Sequence, residues 1–311
     1  KDAIDINPNF AEAYNNLGAA YTSLGQFKIA IECYDKAINI NSNYDEAHRN
    51  LGFNLLSIGQ TDLAIKCFKN AIKINPNLAV AHSSLGNALT KQKDLDKAKR
   101  CYEIAYKIKP NLEFILGDIL NNKMKISDWS ELTILINKAK NKIINSEKII
   151  GPFSFLSLSD DLMLQKKVSE IYSNFYHPQN SILPFLKPYL KHKKIRIGYF
   201  SGDFRIHPVA TLTAELYELH NRDQFEVHAF SFGPDTNDIM NLRIKEGVDY
   251  FHDVKNMSHR EIVLLARSKE IDIAIDLAGH TAKSRTNVFA MSVAPIQLNY
   301  LGYLGTMGTD Y

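Results

Sequence analysis

No apolar run in this sequence approaches the roughly 18 residues of a membrane span, and the opening KDAIDINPNF lacks the apolar core of a signal peptide. Both absences exclude a membrane-spanning reading and leave a cytoplasmic chain as the expectation. An excess of one charge is missing too, because 37 basic residues mix with 34 acidic ones for a net charge of +3. So even a balance does not suit a nucleic-acid or anionic-membrane surface. Cysteine is scarce, and Cys33, Cys67 and Cys101 stand 34 residues apart. Packed helices lie roughly 10 Å apart and a disulfide needs Cα atoms within about 7 Å, so equivalent positions in stacked repeats read as buried thiols in a reducing compartment. A dinucleotide-binding GxGxxG is also absent, since Gly198 and Gly202 do not complete it. What is present is 45% apolar and 23% charged sequence, over a length of 311 residues that suits about two domains.

The first of these is repetitive. Asn7-Pro8, Asn41-Ser42, Asn75-Pro76 and Lys109-Pro110 recur every 34 residues. Between them recur Leu17-Gly18, Leu51-Gly52 and Leu85-Gly86, then Ala30, Ala64 and Ala98, then Tyr34, Phe68 and Tyr102, then Ala37, Ala71 and Ala105. Small residues let two antiparallel helices approach, an aromatic fills the gap, and the turn residues end the second helix. The pattern is similar to the tetratricopeptide repeat and predicts an α-solenoid over 1–110, with three full copies, partial ends and a concave binding face. His48, His82 and Tyr14 are repeat-equivalent and read as packing residues. Ala3-Ile4-Asp5-Ile6 matches the end of a second helix, so further repeats are expected before it.

From 111 to 190 the period fails and helical spacing remains (Ile134, Ile136, Ala139, Ile143; Leu162, Leu164, Val168, Ile171, Tyr172), broken at Gly151-Pro152 and His177-Pro178. This stretch reads as a helical connector. Pro184, Pro188 and the solvated basic run Lys191-His192-Lys193-Lys194 read as a hinge. From 191 to 311 strands expected at 195–200, 225–232, 249–252, 271–277 and 295–300 alternate with helices at 208–220, 237–246, 258–269 and 284–291. Such alternation means a doubly wound parallel sheet. Ligands of such sheets gather beyond the carboxyl ends of the strands. Two loops there carry polar groups, Ser201 to His207 and Asp276 to Arg285, which would bring His207, Asp276, His280 and Thr281 to one cleft. A histidine before a proline is otherwise most often a capping or packing residue.

Taken in order, the repeats, Asp128-Trp129, PFSFLSLSDD (152–161), GYFSGDFRIHPVA (198–210), DLAGHTAKSR (276–285), APIQ (294–297) and LGYLGT (301–306) resemble the protein O-GlcNAc transferase family, its bacterial and SPINDLY-like members included. The resemblance implies the amino-terminal, Rossmann-like half of a two-lobed type B glycosyltransferase fold, with the 191–311 lobe incomplete at its carboxyl end. It implies inverting transfer of N-acetylglucosamine from UDP-GlcNAc to Ser or Thr hydroxyls, with no metal and no cofactor, by a chain that needs a second, donor-binding lobe. His207, Asp276 and His280 would fall at the active site. Gly279, Thr281, Gly302, Gly305 and Thr306 would border the sugar and close the cleft, and Asn16 and Asn50 would grip an acceptor peptide. Ser84 takes that place in the third copy, Leu304 stands where the family usually has Pro, and His280 where animal members have Tyr. The alternatives are transfer of fucose from GDP-fucose, and a non-catalytic repeat scaffold that binds protein partners.

Overall fold

The computed structural model describes residues 2–180, 183, 184, 186–190, 192–281 and 284–311, so Lys191 of the basic run and Ala282-Lys283 of the second loop lie outside the described residues. The chain divides into two compact units, Lys1–Ile150 and Gly151–Tyr311.

The first unit is helical. After α1 (Asp2–Ile6) come three pairs: α2 (Ala11–Ser23) with α3 (Phe27–Ile40), α4 (Asp45–Ser57) with α5 (Thr61–Ile74), and α6 (Ala79–Lys91) with α7 (Leu95–Ile108). The invariant small residues explain the pairing. A Cβ on Gly18, Gly52 or Gly86 would lie 2.7, 2.7 or 2.5 Å from the ring of Tyr34, Phe68 or Tyr102. Each ring therefore lies flush on the backbone of the facing helix, while Ala30, Ala64 and Ala98 are fully buried beside it. The repeat histidines pack as expected: Nε2 of His48 donates to the Ser42 carbonyl and Nε2 of His82 to that of Pro76, at 3.1 and 3.0 Å.

The array does not stop at Pro110. Leu112 and Ile115 join the repeat core, and α8 (Ile115–Lys125) packs on α7 before α9 (Leu132–Ile144) packs on α8. The segment after α9 then returns, and the carbonyls of Lys148 and Ile149 accept from Phe114 N–H and Gly117 N–H at 2.8 and 3.0 Å. Asp128 explains its motif here, because Lys99 and Lys123 reach its carboxylate at 2.8 and 2.7 Å and hold it well below the usual carboxylate range. The expected connector is thus not one body: it is divided between the units at Ile150 and Gly151. The hinge expected at 184–194 lies inside the second unit, where Arg267 donates to the Pro184 carbonyl at 2.9 Å and His192 sits between Glu270 and Asp272.

The second unit begins with α10 (Pro152–Phe155) and α11 (Leu162–Tyr176) and continues as β1 (Ile195–Ser201), α12 (Pro208–Leu219), β2 (Phe225–Ser231), α13 (Ile239–Gly247), β3 (Tyr250–Asp253), α14 (His259–Ser268), β4 (Ile273–Asp276), α15 (Thr286–Ala290) and β5 (Ile296–Asn299). The strands form one parallel sheet in the order β3-β2-β1-β4-β5. Alternate residues feed opposite faces. Phe200, Phe230 and Ala274 pack with α14 and α15, while Ile197, Tyr199, Val227 and Ala229 pack with α12 and α13. The strand order reverses between β1 and β4, which makes their carboxyl ends the switch point where ligands of such sheets bind. Both loops singled out from the sequence leave the sheet there.

Candidate active site

The first loop places His207 as the N-cap of α12, with Pro208 at the first helical position. The backbone N–H of Val209 donates to its Nδ1 at 3.3 Å. An N–H can only donate, so Nδ1 is the unprotonated nitrogen of the neutral ring and the proton sits on Nε2. That Nε2 is 3.8 Å from Asp203 Oδ2, whose other oxygen accepts from Arg205 at 3.0 Å. The imidazole is 34% exposed and lines an open hollow with Ile206, Pro208, Thr211 and Leu212. It is a helix cap and a polar group facing solvent at once.

The second loop is tighter. Asp276 is 4% exposed, and burial raises its pKa while the N–H groups of Ala278 and Gly279 oppose the shift. The bond from Ala278 is 2.9 Å. Gly279 has φ of 55°, and a Cβ there would meet Tyr303 Cβ at 2.5 Å and Asn299 Nδ2 at 2.7 Å. Gly302 is closer still, for its Cβ would fall 1.8 Å from the Leu277 carbonyl oxygen. These two glycines let the 276–281 and 300–306 loops lie backbone to backbone. Thr281 closes the first of them through a 2.8 Å bond to the Ala278 carbonyl. Asp276, Thr286, Gln297, Asn299, Gly305 and Thr306 border a cavity of about 330 Å³ at the ends of β4 and β5, in the size range of small-ligand sites. Asn299 Nδ2 is buried there without a partner among the described residues.

His280 is not turned to that cavity in the way its place in the motif suggests. Its ring is 8% exposed and packs against Tyr172 and Tyr303, with centroids 5.3 and 5.1 Å away. Nε2 donates to the Met307 carbonyl at 3.0 Å, and Ser173 of α11 donates to the same carbonyl at 2.7 Å. Burial, aided by nearby His177, pushes His280 down to about 4. His207 and Asp276 border different hollows among the described residues, the first with Thr211 and Leu212 and the second with Asn299 and Thr306. Sequence reasoning missed Ser173 of α11 and its C-cap His177, which it assigned to the connector, and Asn299, whose signal was its place at the end of the last strand.

In the repeat unit Asn16 is exposed and Asn50 half-buried. Asn50 Nδ2 donates to Asn15 Oδ1 at 2.9 Å, a bond between neighbouring repeats.

Residues 164–311 match the family described as Glycosyl transferase family 41, and residues 11–44, 54–93 and 79–112 match tetratricopeptide repeat families. Residues 164–311 are thus similar to glycosyl transferase family 41. The matched region starts inside α11, so it takes in Ser173, which donates to the Met307 carbonyl of the same unit. Curated relatives include a probable UDP-N-acetylglucosamine–peptide N-acetylglucosaminyltransferase SEC of Arabidopsis thaliana, 38% identical over 38% of this chain and 12% of that protein. A UDP-N-acetylglucosamine–peptide N-acetylglucosaminyltransferase of Caenorhabditis elegans is 32% identical over 38% of this chain and 10% of its own length. These matches therefore span about a tenth of each relative. A mutant of the Thermobaculum terrenum O-GlcNAc transferase shares the fold over 96% of this chain and 51% of its own, with a TM-score of 0.51 at 22% identity. No described helix is long and apolar enough to cross a membrane.

Proposed function

We propose that the full-length protein moves N-acetylglucosamine from UDP-GlcNAc to Ser or Thr hydroxyls of protein acceptors with inversion, and that this chain forms the acceptor-side wall of the cleft. The observation that carries the reading is His207 at the switch point of a family 41 sheet, its Nε2–H presented to solvent. Inverting transfer needs the acceptor oxygen in line with the anomeric carbon, a path for its proton, and neutralisation of the departing diphosphate. In the tautomer fixed by Val209, His207 serves the first need as a donor to a substrate oxygen, and it does not act as the base. Asp276, Gly279, Thr281, Gly302, Gly305 and Thr306 border the sugar. His280 supports that loop from behind and does not exchange a proton. The donor's diphosphate is met by groups outside this chain, and no metal or cofactor enters the reading.

The test is His207→Ala in the full-length protein, with transfer to a Ser/Thr peptide measured from UDP-GlcNAc and, in parallel, from GDP-fucose. Loss of roughly 100-fold or more is expected for removal of a positioned hydrogen-bond donor, and activity near wild type would sink the assignment. Transfer from GDP-fucose alone would replace the donor, and absence of nucleotide-sugar binding would favour a scaffold. The repeats hold the acceptor backbone through Asn16 and Asn50. Alanine at both positions should raise acceptor KM more than it lowers kcat, and an unchanged KM across several peptides would count against that role.

A further inference from the structure

The loop that carries His207 has little structure of its own. Within it, the Asp203 N–H donates to Ser201 Oγ at 3.0 Å and the Arg205 N–H to the Asp203 carbonyl at 2.8 Å. The stretch nearest the histidine is instead tied from the start of α13, on the neighbouring β2 connection. Asn241 Nδ2 donates to the Phe204 carbonyl at 2.7 Å, and Asp238 Oδ2 accepts from the Ile206 N–H at 3.0 Å. These ties fall three residues and one residue before His207, and the Phe204 ring between Tyr217 and Phe251 pins the same turn from the core.

Asn241 is fully buried, at 0% exposure, and its Oδ1 has no partner among the described residues. A buried amide with an orphaned oxygen is costly, so what it supplies is the one donor bond to the loop. Asp238 divides its carboxylate between two tasks. Oδ1 accepts from Met240 and Asn241 N–H at 3.0 and 2.9 Å and caps α13. Oδ2 accepts from Ile206 and from Thr236 Oγ1, the latter at 2.6 Å.

We propose that Asn241 and Asp238 are positioning residues for His207: they fix the backbone from Phe204 to Ile206 and, through it, the aim of the imidazole Nε2–H. The proposal rests on the role given to His207 above. It makes the β2–α13 connection part of the device that sets the geometry of transfer.

Asp238→Asn separates the two tasks. Asparagine caps a helix as well as aspartate, so α13 keeps its cap, while the amide group that replaces Oδ2 cannot accept from Ile206. Asn241→Leu removes the other tie and leaves the Phe204 carbonyl unpaired, so it carries a larger folding cost, and Asp238→Asn is the deciding variant. Two readouts are used. In this chain, selectively labelled with 15N-histidine and with the His207 signal assigned by His207→Gln, wild type should show the Nε2–H tautomer. Asp238→Asn should move the ring nitrogens toward a mixed-tautomer pattern, with a melting temperature within about 2 °C of wild type. In the full-length protein, kcat should fall roughly 10- to 100-fold, the cost of a misaimed group, with donor KM within about twofold. Unchanged ring signals and unchanged kcat would overturn the proposal, as would a kcat loss that merely follows the fraction of unfolded protein. Absence of transfer by the wild-type protein would overturn the proposed function alone, since the ring signals decide the positioning independently.

Discussion

His207 caps α12 through Nδ1, and in the proposed function Nε2–H meets the substrate, so the two roles are separable by substitution. As a cap it satisfies the Val209 N–H, and alanine there should cost about 1 kcal/mol of stability besides the loss of transfer expected from the proposed function. Serine keeps a capping oxygen without the Nε2–H. His207→Ser should therefore melt close to wild type while losing as much transfer as His207→Ala, and thermal melts of this chain beside full-length assays check the pair. The glycines of the paired loops give a second residue-scale expectation. Gly279→Ala adds a strained backbone conformation, about 1–2 kcal/mol, to a Cβ contact of 2.5 Å with Tyr303, so the lobe should melt at least several degrees lower. An unchanged melt would show that the two loops slide apart freely. The sequence made His207 and Gly279 visible through their motifs, but it did not show which ring nitrogen is available. That depends on a backbone N–H two residues on and a carboxylate four residues back.

Among the elements, α11 has the widest consequences, since its Ser173 and its C-cap His177 pack against His280 of the second loop. Burial lowers the pKa of His280 and of His252 to about 4, and also lowers that of His177, His228 and His259. A histidine depressed in the folded state binds its proton more readily when unfolded, so stability is full above about 6.5 and falls as the pH drops toward 4. Denaturant unfolding of the lobe should thus lose stability steadily between pH 6.5 and 4, and His280→Asn should flatten that slope. An equal slope in the variant would mean that other groups carry it. Elements with a period were legible in advance: the 34-residue repeat gave three helix pairs, and strand-helix alternation gave a parallel sheet whose strand ends shifted by one or two residues. α8, α9 and α11 are amphipathic without a period, and apolar spacing shows that a helix has a buried face but not which neighbour covers it. Spacing alone therefore does not separate α11 from the helices before it.

Across the molecule, each unit closes its own core, and the returning segment at Lys148 and Ile149 finishes the first at its carboxyl end. A fragment of residues 1–150 should accordingly show helical circular dichroism and one cooperative melt, and a broad, non-cooperative melt would contradict the division at Ile150. The glycine-on-ring contacts carry a consequence for how such a chain changes length. Excising residues 45–78 would join Tyr44 to Ala79 and place α6 where α4 stood, with Gly86 still on Tyr102 and Gly18 still on Tyr34. Polar stitches such as Thr22 to Asn54 and Asn50 to Asn15 would be lost, and Thr90 would stand where Leu56 packs on the repeat core. Translational symmetry of this kind makes reach a heritable variable. One in-frame recombination lengthens or shortens the repeat surface by a whole step.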